Sequence, residues 1–236
     1  MKFTVEPNKE LTINKVRMSC DNTDEDDCRI KKSNLPGKNS AVYIVGTPGS
    51  GKSNLIYQLL HSKCFFKRFW DNIHIFSPSL HTFEKPFKIQ PESLHNEFSI
   101  ESIEEILEDT DKEEKTLVVF DDFISDINKV GKASIIRKMI LNRRHYFCSV
   151  WISSQRFNLL DKTLRQNLSH LILFKGITRN ELEMVYEELL SGIDKEDFLK
   201  LTEFVFKEAH SFLYISLNPI KYYLNFAPIA IEKSEQ

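Results

Sequence analysis

Apolar residues along this chain gather in short runs of four to six, separated by stretches where they recur every three or four positions. The runs at 41–45, 73–76, 117–120, 148–153 and 171–174 predict five buried strands. Between them, Leu55, Ile56, Leu59 and Leu60 mark one face of a helix over 53–61. Ile103, Ile106 and Leu107 do the same over 100–109, and Ile135, Ile136, Met139 and Ile140 over 132–142. Two further helices are expected at 181–190 and 194–206, and a β-hairpin from 211–216 and 222–226 at one edge. The stretch 79–98 is polar, interrupted by Pro86 and Pro91, and reads as loop. Short apolar strands alternating with helices predict an α/β domain over 38–226. Its sheet is mostly parallel, flanked by helices, with antiparallel edge strands at the C-terminal end. Residues 1–37 form a preamble in which Phe3-Thr4-Val5 and Leu11-Thr12-Ile13 suit short strands. Asp24-Glu25-Asp26-Asp27 suits a solvated loop, and Pro36-Gly37 a turn. Residues 227–236 are expected to fray.

The first helix is preceded by Gly46-Thr47-Pro48-Gly49-Ser50-Gly51-Lys52-Ser53. This is G-x-x-x-x-G-K-[ST] between a strand and a helix, the context in which it binds phosphate. The glycines let the backbone curl its N–H groups inward, and the helix N-terminus adds partial positive charge. Lys52 is placed to reach the β- and γ-phosphates of ATP, and the Ser53 hydroxyl to take a position on Mg²⁺. Asn54 completes the nucleotide-contacting run.

Other candidates lie where strands end. Ligands on parallel sheets sit at the carboxyl ends of strands, and Asp121-Asp122 follow the run 117–120. Asp121 suits the Mg²⁺ shell and Asp122 a general base for the attacking water; a helix N-cap or a solvated turn is the other reading of Asp122. Gln155 follows the run 148–153, so its amide reaches the γ-phosphate or the water if that strand lies beside the acidic one. Arg143, Arg144 and Arg165 flank this strand, and spacing alone does not separate a catalytic arginine from a surface charge.

Composition excludes little. Formal charge is −2 over 236 residues, so there is no global basic field and any nucleic-acid contact must be local. Cys20, Cys28, Cys64 and Cys148 are scattered; His61 with Cys64 is the pairing that could be proposed for a metal, and the pattern reads as reduced thiols rather than a zinc site. No apolar run is long enough to cross a bilayer, and Glu6 and Glu10 interrupt the place where a signal peptide would be apolar.

The motifs G46-T-P-G-S-G-K-S53, V118-V-F-D-D122, R143-R-H-Y146, I152-S-S-Q155 and L164-R-Q-N167, in this order, resemble the FtsK–HerA superfamily. Within it the chain is most similar to the genome-packaging ATPases of poxviruses, other large eukaryotic DNA viruses and virophages. The resemblance covers roughly residues 38–226. It implies a P-loop NTPase fold of the RecA/ASCE type and a homo-oligomeric ring, pentamer or hexamer, that threads double-stranded DNA into a preformed capsid. Viral capsid or portal proteins would be partners, without a membrane, in the host cytoplasm at the viral factory or in the virion. Gln155 matches the family's sensor glutamine. Arg144, eleven residues earlier, matches its arginine finger, with Arg143 as immediate rival and Arg165 with Asn167 as a further element facing the neighbouring nucleotide. Many superfamily members carry Asp-Glu where this chain has Asp121-Asp122; the viral packaging group often has the same pair.

The alternatives are a cellular or plasmid-borne DNA pump or helicase, a nucleotide-dependent switch or scaffold that moves no DNA, and a small-molecule kinase. A GTPase is disfavoured by the lack of an Asn-Lys-x-Asp motif. Leu190-Ser191-Gly192-Ile193-Asp194 lacks the glycine-glutamine end of a transporter signature. Lys129 and Lys132 are the candidates for DNA contact, with solubilising charge as the other reading.

Overall fold

A computed structural model describes residues 2–5, 35–80, 87–127, 132–190 and 192–232. In chain order its strands are β1 (Lys2–Val5), β2 (Ala41–Val45), β3 (Asn72–Phe76), β4 (Leu94–His95), β5 (Thr116–Phe120), β6 (Cys148–Ser154), β7 (His170–Phe174), β8 (Phe212–Leu217), β9 (Ile220–Leu224) and β10 (Ala227–Glu232). The helices are α1 (Lys52–His61), α2 (Ile100–Glu108), α3 (Ile124–Ile127), α4 (Lys132–Asn142), α5 (Lys162–Arg165), α6 (Arg179–Leu189) and α7 (Lys195–Val205). The strands form one sheet in the order β1-β10-β9-β8-β7-β2-β6-β5-β3-β4. From β7 to β4 all neighbours are parallel; β8, β9, β10 and β1 add on antiparallel.

The five predicted parallel strands are all present, and alternation along them divides the core in two. Tyr43, Val45, Val118, Phe120, Val150 and Ile152 face α2, α4, α6 and α7, whose inner residues include Ile103, Ile136, Met139, Val185, Phe198 and Leu201. Val42, Ile44, Leu117, Val119 and Trp151 face α1 and an aromatic segment of Phe65, Phe66, Phe69 and Trp70. Phe66 and Trp70 both meet Trp151 edge-on, with ring centroids 5.4 and 6.2 Å apart. Every residue of β2, β5 and β6 is buried, as strands covered on both faces require.

Two expectations need correction. Residues 227–236 do not fray as a unit, because 227–232 form β10, paired to β9 and to β1. For the same reason the hairpin of β8 and β9 is not the sheet edge. The partner of β10 stands at the other end of the chain, so local periodicity does not reveal the pairing. The strand expected at 3–5 is β1. The strand expected at 11–13, the acidic run 24–27, Cys20, Cys28 and Lys129 lie outside the described residues.

Candidate nucleotide-binding site

The loop of residues 46–51 leaves the carboxyl end of β2 and enters α1. Gly49 and Gly51 have φ of 75° and 108°, left-handed values that side chains rarely adopt. Gly46 is required by contact: a Cβ there would stand 2.6 Å from Ser50 Oγ and 2.7 Å from Phe174 Cβ. Gly51 gives α1 no side-chain cap, so no N-cap side chain takes up the helix's first N–H groups. Ser50 Oγ is buried and has no hydrogen-bond partner among the described residues. Lys52 is 8% exposed and folds back, donating to the carbonyls of Gly46 at 2.7 Å and Thr47 at 3.2 Å. Burial pushes its ammonium below the usual lysine range, and the charges of Asp122 and Asp121 partly offset this. Ser53 is half-buried behind it and Asn54 exposed. Uncapped N–H groups, an orphaned hydroxyl and a buried lysine on one curl of backbone fit a polyphosphate.

Across the loop stand the residues that end β5 and β6, which the sheet places side by side as expected, with β6 between β5 and β2. Asp121 is 3% exposed. Its Oδ1 accepts from Ser153 Oγ at 2.5 Å and its Oδ2 from Ser77 Oγ at 3.4 Å. The same Ser153 hydroxyl accepts from the Asp122 N–H at 3.1 Å, so one side chain of β6 fixes both acids. Asp122 has φ 60°, a conformation aspartate tolerates better than most residues, and its carboxylate is exposed. Gln155 Nε2 lies 3.3 Å from each Asp122 oxygen. A neighbouring pair braces β6, because Tyr43 Oη and Ser154 Oγ are 2.6 Å apart and Tyr43 donates to Arg156 O at 2.8 Å. Ser153, Ser77 and Tyr43 were not among the sequence candidates. The two hydroxyls ahead of Gln155 at a strand's carboxyl end were the available signal for Ser153.

The structure does not bring the arginines to this site. Arg143 and Arg144 precede β6 and so lie at the opposite end of the sheet; at about 3.3 Å per residue the seven-residue strand separates its ends by about 20 Å. Arg143 is half-buried and committed to its own chain, donating from Nε to Asn39 O at 3.0 Å and from Nη1 to Ile140 O at 2.8 Å. Arg144 is exposed and makes no ion pair among the described residues. Arg165 is buried, paired with Glu188 by two 2.7 Å bonds, bonded to the Leu160 carbonyl and set 4.8 Å from the Phe157 ring centroid. In this arrangement its guanidinium is held within the fold and is not presented to a neighbour. Asn167 donates to Thr163 O.

A glycine loop from β2, acids ending β5 and a glutamine ending the intervening β6 make this chain a P-loop NTPase of the α/β class. The profile of the Poxvirus A32 protein family matches residues 27–217, most of the chain, and the chain belongs to that family. Among solved structures, the genome packaging NTPase B204 of Sulfolobus turreted icosahedral virus 2, in complex with ATP-gammaS, superposes with a TM-score of 0.61 at 17% identity. The match covers 78% of this chain and 95% of that one. B204 of Sulfolobus turreted icosahedral virus, described as a DNA-packaging ATPase, gives 0.58 at 15% identity over 79% and 96%. The cytoplasmic domain of the type VII secretion ATPase EccC of Thermomonospora curvata gives 0.52 at 10% identity, over 83% of this chain and 24% of that one. These likenesses concern the fold. No curated protein matches the chain by sequence. Among the described residues no helix is long and apolar enough to cross a membrane.

Proposed function

We propose that the chain hydrolyses ATP as part of a homo-oligomeric ring that drives double-stranded DNA into a viral capsid. The observation that carries this reading is the division of the proposed catalytic set: phosphate cradle, acids and glutamine at one end of β6, and at the other an exposed Arg144 with no ion pair among the described residues. An arginine about 20 Å from its own nucleotide serves a nucleotide held by an adjoining copy. Membership in the Poxvirus A32 family and the fold shared with the packaging NTPase B204 support the packaging role.

In this reading Lys52 leaves the loop carbonyls and pairs with the β- and γ-phosphates, while the loop N–H groups hold their oxygens. Ser53 and Asp121 would hold Mg²⁺, which would supply positive charge to the phosphate oxygens. Gln155 orients a water in line with the γ-phosphorus, and Asp122 accepts its proton as the new P–O bond forms. The bond to the β-phosphate oxygen breaks, releasing ADP and phosphate. Arg144 of the neighbouring copy stabilises charge on the transferring group, coupling turnover to the subunit boundary. Capsid or portal proteins are the further partners, at the viral factory or in the virion. Lys132, which opens α4, and Lys129 remain the proposed DNA contacts.

The test is ATPase activity of purified chain with and without double-stranded DNA, alongside a mass measurement of the assembly. A large assembly whose turnover rises with DNA is expected. DNA-indifferent turnover by a monomer would select a switch or a kinase and reject the motor.

A further inference from the structure

The phosphate loop is braced on the side that faces away from the acids. In the sheet, β6 and β5 lie on one side of β2, and β7 and β8 on the other. With Asp121, Asp122 and Gln155 on the β6 side, a terminal phosphate belongs there, and the nucleoside end of the same molecule extends toward β7 and β8. Two connections meet the loop on that flank. The turn after β7 brings Gly176, at φ 104°, so close that a Cβ would stand 2.9 Å from Thr47 Oγ1. The loop between α7 and β8 brings His210, whose Nδ1 is 3.2 Å from the Ser50 carbonyl and 3.8 Å from where a Cβ on Gly51 would be.

A carbonyl only accepts, so Nδ1 carries the hydrogen and donates. In the neutral ring Nε2 is then an acceptor, and it has no protein partner among the described residues. His210 is exposed yet held at φ 62°, a left-handed conformation uncommon for a residue with a side chain. Its position is fixed from the next residue, where Ser211 Oγ bonds to the carbonyls of Val205 at 2.6 Å and Glu208 at 2.9 Å. Phe212 N–H is held in turn by Asn225 Oδ1 at 2.9 Å. Burial does not explain an exposed imidazole pinned beside the phosphate loop; a ligand contact does.

We propose that His210 is a nucleoside-positioning residue. Anchored by Nδ1 on the Ser50 carbonyl, it offers its ring face to the base and Nε2 to a hydroxyl or amino hydrogen of a bound nucleoside triphosphate. The proposal rests on reading the glycine loop as the triphosphate cradle.

Calorimetric titration of wild type, His210→Ala and His210→Gly with Mg·ATP and with Mg·tripolyphosphate separates the two ideas. Glycine keeps the left-handed backbone while deleting the ring, and thermal unfolding without ligand checks that both variants fold. Both should bind ATP about five- to tenfold more weakly, the scale of one stacking contact or hydrogen bond, and bind tripolyphosphate within about twofold of wild type. Unchanged ATP affinity in His210→Gly, or equal weakening of both probes, overturns the proposal and leaves the cradle standing. If wild type takes up neither probe, the cradle itself is rejected.

Discussion

The two ends of the parallel sheet are built on different terms. At the carboxyl end the polar side chains fix one another: Ser153 ties Asp121 to Asp122, Gln155 reaches Asp122, and Lys52 rests on its own loop. At the amino end Arg143 is bound to backbone carbonyls, and Arg144 beside it is exposed without an ion pair among the described residues. One end has its acids fixed before ligand arrives and leaves Lys52 to move from its loop carbonyls to the phosphates; the other offers a charge outward. Preorganised groups stabilise a transition state without reorganisation, and an arginine delivered from another subunit makes hydrolysis conditional on assembly. The difference between adjacent residues 143 and 144 is therefore the most informative contrast in the molecule.

The strongest way to break the comparison is at the ordered end. Lys52→Ala should abolish nucleotide binding and turnover, a loss of at least about a hundredfold, in binding and steady-state assays. Retained binding would show that the cradle does not depend on its lysine. At the outward end, Arg144→Ala should bind ATP normally and turn over about a thousandfold more slowly. Arg143→Ala should instead lower the melting temperature, since it frees the Asn39 and Ile140 carbonyls, with a smaller effect on hydrolysis. Reversed phenotypes would exchange the two roles.

Ser153→Ala probes the link between the acids and should slow turnover by about tenfold while nucleotide still binds, the scale of a lost hydrogen bond to a charged group. The smallest effect concerns stability in acid. Burial depresses His74 and His170 to about 4 in the folded chain, against an ordinary 6.5. The unfolded chain binds their protons first, so the stability these neutral rings contribute is present above about pH 6.5 and is lost as pH falls toward 4. Unfolding temperatures measured between pH 7 and 4 should decline across this window, and His170→Gln should flatten the decline.

Much of the site was legible because its signals are local. The glycine loop and Asp121-Asp122 are each contiguous in sequence, and alternating apolar runs put both at carboxyl strand ends. The position of β6 beside β5 was legible only as a condition, which parallel pairing of Thr116 to Cys148 and Phe120 to Ile152 satisfies. Contacts between distant segments were not legible. The Arg165–Glu188 pair joins two helices and turns an expected interface arginine into a buried one. β10 acquires its partner from residues 2–5, and His210 meets Ser50 across 160 residues. In each case the decisive contact joins segments far apart in sequence, and no local periodicity or motif tells which partner a residue will meet.

The mechanism turns on whether the proposed catalytic set is shared between copies. Arg144→Ala and Asp122→Asn subunits, each inactive alone, should be mixed at varied ratios and ATP hydrolysis followed. Activity should reappear and peak at intermediate ratios, where an intact Arg144 adjoins an intact Asp122. Mixtures that stay inactive at every ratio, although both chains fold and co-assemble, would contradict a site completed by its neighbour.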